Sequence, residues 1–272
     1  MNQAEVIILM STYNGAPFLR QQLDSILNQS FANWQLIIRD DGSSDKTQEI
    51  IKEYERLCPT KIKQVFGGPG GGSSESFMGM LEYATAPYCM FCDQDDFWET
   101  DKIEISLQKI KQLEKIDPIA LVFTDMEVVS EDLKKELGSF LRLQKLNPNW
   151  INNSNNLLAQ SIAAGCTMIL SWHLVQIIKP IKAPLFQHDH WVLINAAIYG
   201  VVGYCDQKTV KYRQHSHNTI GSHRINFTYF SKKIRELSKV VDRWKYIKYS
   251  FKRKVNMLKL FVAKFRVNLA RL

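Results

Sequence analysis

No apolar run in this 272-residue chain reaches the length needed to span a bilayer. The N-terminus, M-N-Q-A-E-V-I-I-L-M, has no basic flank, and its apolar run is too short for a signal peptide. A cytoplasmic location is therefore expected. Cysteine is scarce and odd in number, five in all, which argues against a disulfide framework. Cys89 and Cys92 form a single C-x-x-C with no second copy. On a strand their side chains point to opposite faces, so buried packing is expected rather than zinc or redox chemistry. Two i, i+2 histidine pairs, His188/His190 and His215/His217, do not by themselves supply the tight geometry of a zinc site. The glycine-crowded stretch 67–74, G-G-P-G-G-G-S-S, lacks the Lys-Ser/Thr of a phosphate loop and the frame of G-x-G-x-x-G. It reads as a mobile loop that can border a ligand. No G-x-S-x-G and no nucleophilic Ser or Cys with a partner base is visible.

Acidic residues are nearly missing from the C-terminal end. Residues 223–272 hold 15 Lys+Arg and 2 Asp+Glu, a balance of +13. The remaining 20 Lys+Arg and 25 Asp+Glu give residues 1–222 a balance of −5. An acidic body with a basic tail is the main division of the chain. Hydrophobic content of 45% is enough for the body to form a core.

Within the body, the most informative stretch is Y-C-M-F-C-D-Q-D-D-F-W, residues 88–98. Tyr88–Cys92 reads as a short buried strand, and three carboxylates follow at once: Asp93, Asp95 and Asp96. Carboxylates this dense repel one another, so a cation must neutralise them or one must stay protonated. Oxygen donors suit a hard ion, Mg²⁺ or Mn²⁺, which takes further ligands from water or a diphosphate. The bland alternative is an acidic turn capping a helix over Thr100–Leu113.

Around this stretch, apolar runs and helical periodicities alternate. Strands are expected at Glu5–Met10, Trp34–Ile38, Ile62–Phe66, Tyr88–Cys92, Ile119–Thr124 and Cys166–Leu170. Helices are expected from Pro17 to Asn28, after a Ser43 or Ser44 cap, over Ser74–Ala84, and from Gln187 to Tyr199. The alternation predicts an α/β fold with a mainly parallel sheet flanked by helices. Ligands on such sheets sit at the carboxyl ends of the strands. Asn14, Asp40, Asp41, Asp93, Asp95 and Asp125 all fall at predicted strand ends and so converge on one edge. Asp189, near a helix start, is either a cap or a general base.

In the tail, Phe230, Ile234, Leu237, Val241, Trp244, Phe251, Val255, Leu258, Val262, Phe265, Leu269 and Leu272 recur mainly at steps of three and four. This is one long amphipathic helix, or two, behind a basic face. It could pack on the body or form a coiled coil, but two such copies would repel. An anionic membrane surface fits the pattern. Nucleic acid is the competing anion, although the regular apolar stripe exceeds what phosphate binding requires.

Taken together, S-T-Y-N-G (11–15), R-D-D-G-S-S-D (39–45), F-C-D-Q-D-D-F-W (91–98) and H-D-H-W (188–191) resemble family-two glycosyltransferases of the GT-A fold. D-Q-D-D-x-W and Y-R-Q-H look most like a bacterial rhamnosyltransferase branch. The similarity covers roughly residues 5–222, so the expected division is a transferase domain, 1–222, and a membrane-associating helical tail, 223–272.

The resemblance implies inverting transfer of a sugar, with dTDP-rhamnose the expected donor, onto a lipid-linked acceptor of a cell-surface polysaccharide at the inner membrane face. It implies Thr12, Asn14 and Asp40 at the nucleotide and Asp93 near ribose or diphosphate. Trp98, Gly165, His188, Trp191 and Arg213 are further substrate-binding candidates. Asp95, with His215, would hold Mn²⁺ or Mg²⁺, and Asp189 would be the base. His190 and the glycine-rich loop depart from the family pattern. No nucleic-acid partner is expected, and a homodimer is compatible with the sequence. The rival classes are a metal-dependent nucleotidyltransferase and a nucleic-acid-binding module built on the tail.

Overall fold

The computed structural model describes residues 4–68, 71–179, 186–215, 237–251 and 255–271. The expected boundary at 222/223 lies outside them, as do His217, Phe230 and Ile234.

A nine-stranded sheet organises the body, in the order β3-β2-β1-β4-β8-β6-β9-β5, with β7 paired to β6. The strands are β1 (Val6–Thr12), β2 (Trp34–Asp40), β3 (Ile62–Val65), β4 (Tyr88–Asp93), β5 (Phe97–Trp98), β6 (Ala120–Ser130), β7 (Glu136–Ser139), β8 (Met168–Ser171) and β9 (Val201–Gln214). The first four run parallel, as the uninterrupted apolar runs predicted. Beyond β4 the sheet is mixed: β8 is antiparallel to β4 and β6, while β9 is parallel to β6.

The continuous apolar runs exist because both sheet faces are covered. Ile7, Leu9, Cys89 and Phe91 enter one core; Val6, Ile8, Met10, Met90 and Cys92 enter the other. Cys89 and Cys92 thus take opposite faces as free, buried thiols. Helices α1 (Ala16–Leu27), α2 (Thr47–Leu57) and α4 (Lys102–Leu113) cover the second face. Helices α3 (Ser73–Met80), α6 (Ser154–Ala159), α7 (Trp172–Ile178) and α8 (His188–Tyr199) cover the first. The short α5 (Phe140–Leu143) follows β7.

Two local expectations change. Helix α2 starts at Thr47, not after a serine cap; Asp45 Oδ1 accepts from Thr47 N at 2.9 Å, while Ser43 and Ser44 are used elsewhere in the loop. Asp125 does not end a strand. β6 continues to Ser130, and Asp125 sits at a register shift opposite β9. Its carboxylate accepts from Ser139 Oγ, Met126 N and Leu141 N, which anchors β7 and the start of α5 to β6.

The tail forms α9 (Leu237–Ser250) and α10 (Met257–Ala270). Ile247, Phe251, Leu260 and Ala263 join the core on the α8 face. Asn256 caps α10, its Oδ1 accepting from Leu258 N and Lys259 N.

Candidate functional site

Parallel register places three candidates side by side. Thr12 pairs with Asp40 across β1–β2, and Ser11 with Asp93 across β1–β4. Thr12 Oγ1 donates to Asp40 Oδ1 at 2.9 Å, and Ser43 N and Gln48 Nε2 donate to Asp40 Oδ2 at 3.0 and 2.9 Å. Burial alone would raise the Asp40 pKa, but hydrogen bonds from Ser43, Gln48 and Thr12 outweigh it and hold the carboxyl below its usual value. Asn14, at φ 48°, accepts from Ser44 N at 2.9 Å and donates its own N–H to Ser43 Oγ. Asparagine tolerates this left-handed backbone better than most residues.

Gln94, between the acids, carries no sequence signal that would select it. Its Oε1 accepts from Tyr13 N and its Nε2 donates to Tyr13 O, both at 2.9 Å. Those two bonds clamp the β1–α1 loop to the acidic turn. A Cβ on Gly15 would meet Gln94 Oε1 at 2.1 Å, so a larger residue there would push the Gln94 side chain out of the clamp. Likewise the start of the glycine-rich loop passes so close to β2 that a Cβ on Gly67 would meet Asp40 O at 1.9 Å.

The three acids of the turn sit in different surroundings. Asp96 is fully buried, neither oxygen has a hydrogen-bond partner among the described residues, and burial with Asp95 and Asp93 nearby pushes its pKa well above its usual value. Asp93 is partly buried and also shifted upward, by burial first and then by Asp95 and Asp189. Asp95 keeps 17% side-chain exposure, and its Oδ2 lies 2.8 Å from His215 Nε2. The repulsion evident in the sequence is met by burial that drives Asp96 toward its neutral form and by the separate placement of Asp95 beside His215.

β5 and β9 create the Asp95–His215 pairing. They run antiparallel with Phe97 opposite Lys211, so the same register carried outward sets Asp95 against Arg213, next to His215. The His215 ring also lies 4.5 Å from that of Phe18.

A second group, Asp93, Asp96 and Cys166, places one potential ligand atom from each residue within 4.8 Å of the others. It fits a hard cation poorly. Asp96 is closed off and burial pushes its pKa upward, and burial pushes the Cys166 thiol well above its normal value. Asp95 offers instead a partly exposed carboxylate, the oxygen donor that Mn²⁺ or Mg²⁺ takes, with the His215 imidazole beside it as a second donor.

On the far side, α8 brings in Asp189 in its first turn. Burial raises its pKa to about 6, against backbone N–H donors including His190 N at 2.5 Å. Ser74 Oγ accepts from His188 N at 3.0 Å, fixing the start of α8 to α3. The His188 ring is wedged against Phe77 and Phe91, with neither nitrogen hydrogen-bonded among the described residues. Gly165 lies beneath it; a Cβ there would meet His188 Nε2 at 2.5 Å. His190 turns away, its Nε2 lying 2.9 Å from Leu157 O, so the histidines at 188 and 190 share no ligand position.

Three substrate-contact candidates face inward instead. Trp98 is buried in the core, under the Lys102 ammonium. Trp191 is buried against Phe186, Tyr246 and Phe251, joining α8 to the tail. Arg213 is buried; Nε donates to Asp95 O at 2.8 Å, Nη2 to Gln21 Oε1 at 2.7 Å and Nη1 to Glu131 O, and the guanidinium lies over Phe18. Arg213 uses its polar end within the fold, whereas the indole nitrogens of Trp98 and Trp191 are buried with no hydrogen-bond partner among the described residues.

Parallel β3-β2-β1-β4, a D-Q-D turn at their carboxyl edge, and mixed strands behind define a GT-A fold. Solved structures share it. TarS from S. aureus in complex with UDP-GlcNAc superposes with a TM-score of 0.66 at 14% identity, over 98% of this chain and 72% of that one. The mannosyltransferase PcManGT from Pyrobaculum calidifontis in complex with GDP-Man and Mn²⁺ gives 0.61 at 15%, over 100% and 72%. Residues 7–170 match the model of glycosyl transferase family 2, and the chain belongs to that family. Among its relatives is UDP-Glc:alpha-D-GlcNAc-diphosphoundecaprenol beta-1,3-glucosyltransferase WfgD of Escherichia coli, 25% identical over 71% of this chain and 69% of that protein. The dTDP-rhamnosyl transferase RfbG of Shigella flexneri is 26% identical over 86% and 80%. The putative teichuronic acid biosynthesis glycosyltransferase TuaG of Bacillus subtilis is 30% identical over 47% and 48%.

Proposed function

We propose that this glycosyltransferase moves a sugar from a nucleoside diphosphate donor to an acceptor hydroxyl with inversion, aided by Mn²⁺ or Mg²⁺. One observation carries the reading: the Asp95–His215 pair and Asp189, whose pKa is raised to about 6, flank Asp93 at the carboxyl edge of the sheet. The acceptor oxygen attacks C1 of the donor sugar as the bond from C1 to the diphosphate oxygen breaks. The acceptor proton passes to the Asp189 carboxylate, and the electron pair leaves with the nucleoside diphosphate. A base with a pKa near neutrality is matched to that transfer. Thr12, Asn14 and Asp40 line the nucleotide end, Asp93 the ribose or diphosphate, and Gly165 and His188 the sugar side. Asp95 and His215 would hold the divalent ion, which when bound offsets the charge gained by the leaving diphosphate.

Rhamnose from dTDP-rhamnose is the proposed donor sugar, supported by the likeness to RfbG and by the Y-R-Q-H string. The proposed acceptor is a lipid-linked saccharide in cell-surface polysaccharide synthesis, as the names of WfgD and TuaG suggest. The enzyme would then work peripherally on the inner membrane face, with 1–222 as the transferase unit and 223–272 as the basic tail. A thermal-shift screen of nucleotide sugars with and without Mn²⁺ tests donor choice, because a ligand of the folded state raises its melting point. Turnover must release nucleoside diphosphate; release of pyrophosphate would make the protein a nucleotidyltransferase.

A further inference from the structure

Helix α10 carries two apolar rows, and only one is used inside the molecule. Leu260, Ala263 and Val267 are buried on the body. Lys264 Nζ donates to Ala159 O at 2.6 Å and Arg271 Nε to Gln144 O at 3.1 Å, fastening the helix to α6 and to the end of α5. The other row faces out: Leu258 is 73% exposed, Phe261 58%, Val262 41%, Phe265 65% and Leu269 61%. This outer row contains the three- and four-step stripe of the sequence. On a helix of 3.6 residues per turn, the exposed Lys259 and Arg266 run along one edge of that face. Exposed Lys245 and Lys248 extend from α9, and residues 243–272 hold ten Lys+Arg and no Asp or Glu.

We infer that this outer face of α10 is a docking surface for an anionic phospholipid bilayer. Five large apolar side chains in a row exceed what a soluble surface needs and match the depth to which an interfacial helix buries its apolar side. The cationic border supplies complementarity to anionic headgroups. A second copy of the chain would bring the same positive border against itself. Nucleic acid would use the charges and leave the apolar row in water.

The fold carries this contact to the chemistry. α10 packs on α6, and Leu157 O of α6 lies 2.9 Å from His190 Nε2, next to Asp189 in the first turn of α8. A bilayer on the outer face of α10 therefore lies one short helix away from the helix that carries the base. This holds Asp189 at the lipid–water boundary, where the sugar of a lipid-linked acceptor would be presented. The last step rests on the transferase reading; the docking surface does not.

The test is co-sedimentation of the full-length chain with vesicles of phosphatidylcholine alone, or of phosphatidylcholine with phosphatidylglycerol, beside the variants Phe265→Asp/Leu269→Asp and Lys259→Glu/Arg266→Glu. Binding should require phosphatidylglycerol and weaken with salt. It should fall by about tenfold or more per apolar replacement and about 25-fold per charge reversal, which changes the charge by two. These side chains are exposed, so melting temperature and the donor-dependent release of nucleoside diphosphate with a water-soluble acceptor should hold, while KM for a lipid-linked acceptor rises. Vesicle binding unchanged by either double variant would overturn the inference. So would a dimer that Phe265→Asp dissociates, or salt-sensitive DNA retention without vesicle binding. Vesicle binding without any donor turnover would instead refute the transferase reading and leave the surface standing.

Discussion

His215 Nε2 lies 2.8 Å from Asp95 Oδ2 across 120 residues of sequence, because β5 and β9 pair antiparallel beside the acidic turn. Asp95→Ala should abolish transfer. His215→Asn should weaken the apparent Mn²⁺ affinity by about 10- to 100-fold, the scale found when support around a metal is removed. Turnover titrated with Mn²⁺ measures both. Equal Mn²⁺ dependence in the wild type and the His215 variant would remove His215 from the cation site.

Asp189 must be ionised to accept the acceptor proton. Burial raises its pKa to about 6, so the unprotonated fraction, and with it turnover, should fall as pH drops through about 6. Asp189→Asn should lower turnover by about 10²–10⁴-fold with donor binding kept. A thermal shift by donor that survives in this variant, alongside lost product, separates the base from a binding role. Near-normal product would reject the assignment.

Arg213 tests inward positioning against substrate contact. Its guanidinium donates to Asp95 O, Gln21 Oε1 and Glu131 O while buried. Arg213→Ala removes a buried side chain and its three hydrogen bonds, each contributing about 1 kcal/mol, so the melting temperature should drop clearly. Arg213→Lys should recover much of the stability but lose the fork that holds the Asp95 main chain, and Mn²⁺ affinity should stay reduced. A variant with native stability and only a raised donor KM would return Arg213 to the substrate.

Acid stability follows from the buried imidazoles. Burial lowers His188 to about 3 and His190 to about 4, both below the value of an unfolded histidine. Between those values the unfolded chain binds more protons than the folded one, so stability is lost as pH falls from about 6.5 toward 4. The buried acids Asp93, Asp96 and Asp189, whose pKa values burial raises, act in the opposite sense over the same range, so the histidine contribution is read as a difference between variants. Relative to the wild type, His190→Asn should gain denaturant stability as pH falls from about 6.5 toward 4; a difference independent of pH would mean that the His190 ring is charged in the folded chain.

Much of the rim was legible because a continuous apolar run marks a strand buried on both faces, and the first polar residues after it mark the strand's end. Thr12, Asp40 and Asp93 met that rule. Asp125 broke it: the strand continues through T-D-M-E-V-V-S, and the carboxylate is accommodated inside by Ser139 and two backbone N–H groups. Motif membership selected Trp98, Trp191 and Arg213 but carried no information on which way they face. Gln94 gave no signal, since its partners are the main-chain atoms of Tyr13, 81 residues away. In the tail the apolar stripe was legible; that a second row, Leu260, Ala263 and Val267, would take the inner face was not.

The most direct measurement is anomalous diffraction at the manganese edge from crystals holding Mn²⁺ and the donor's nucleoside diphosphate. The account predicts one manganese peak bridging Asp95, His215 and the diphosphate, with Asp189 across the sugar position. A peak among Asp93, Asp96 and Cys166, or a bound diphosphate with no manganese at Asp95, would contradict it.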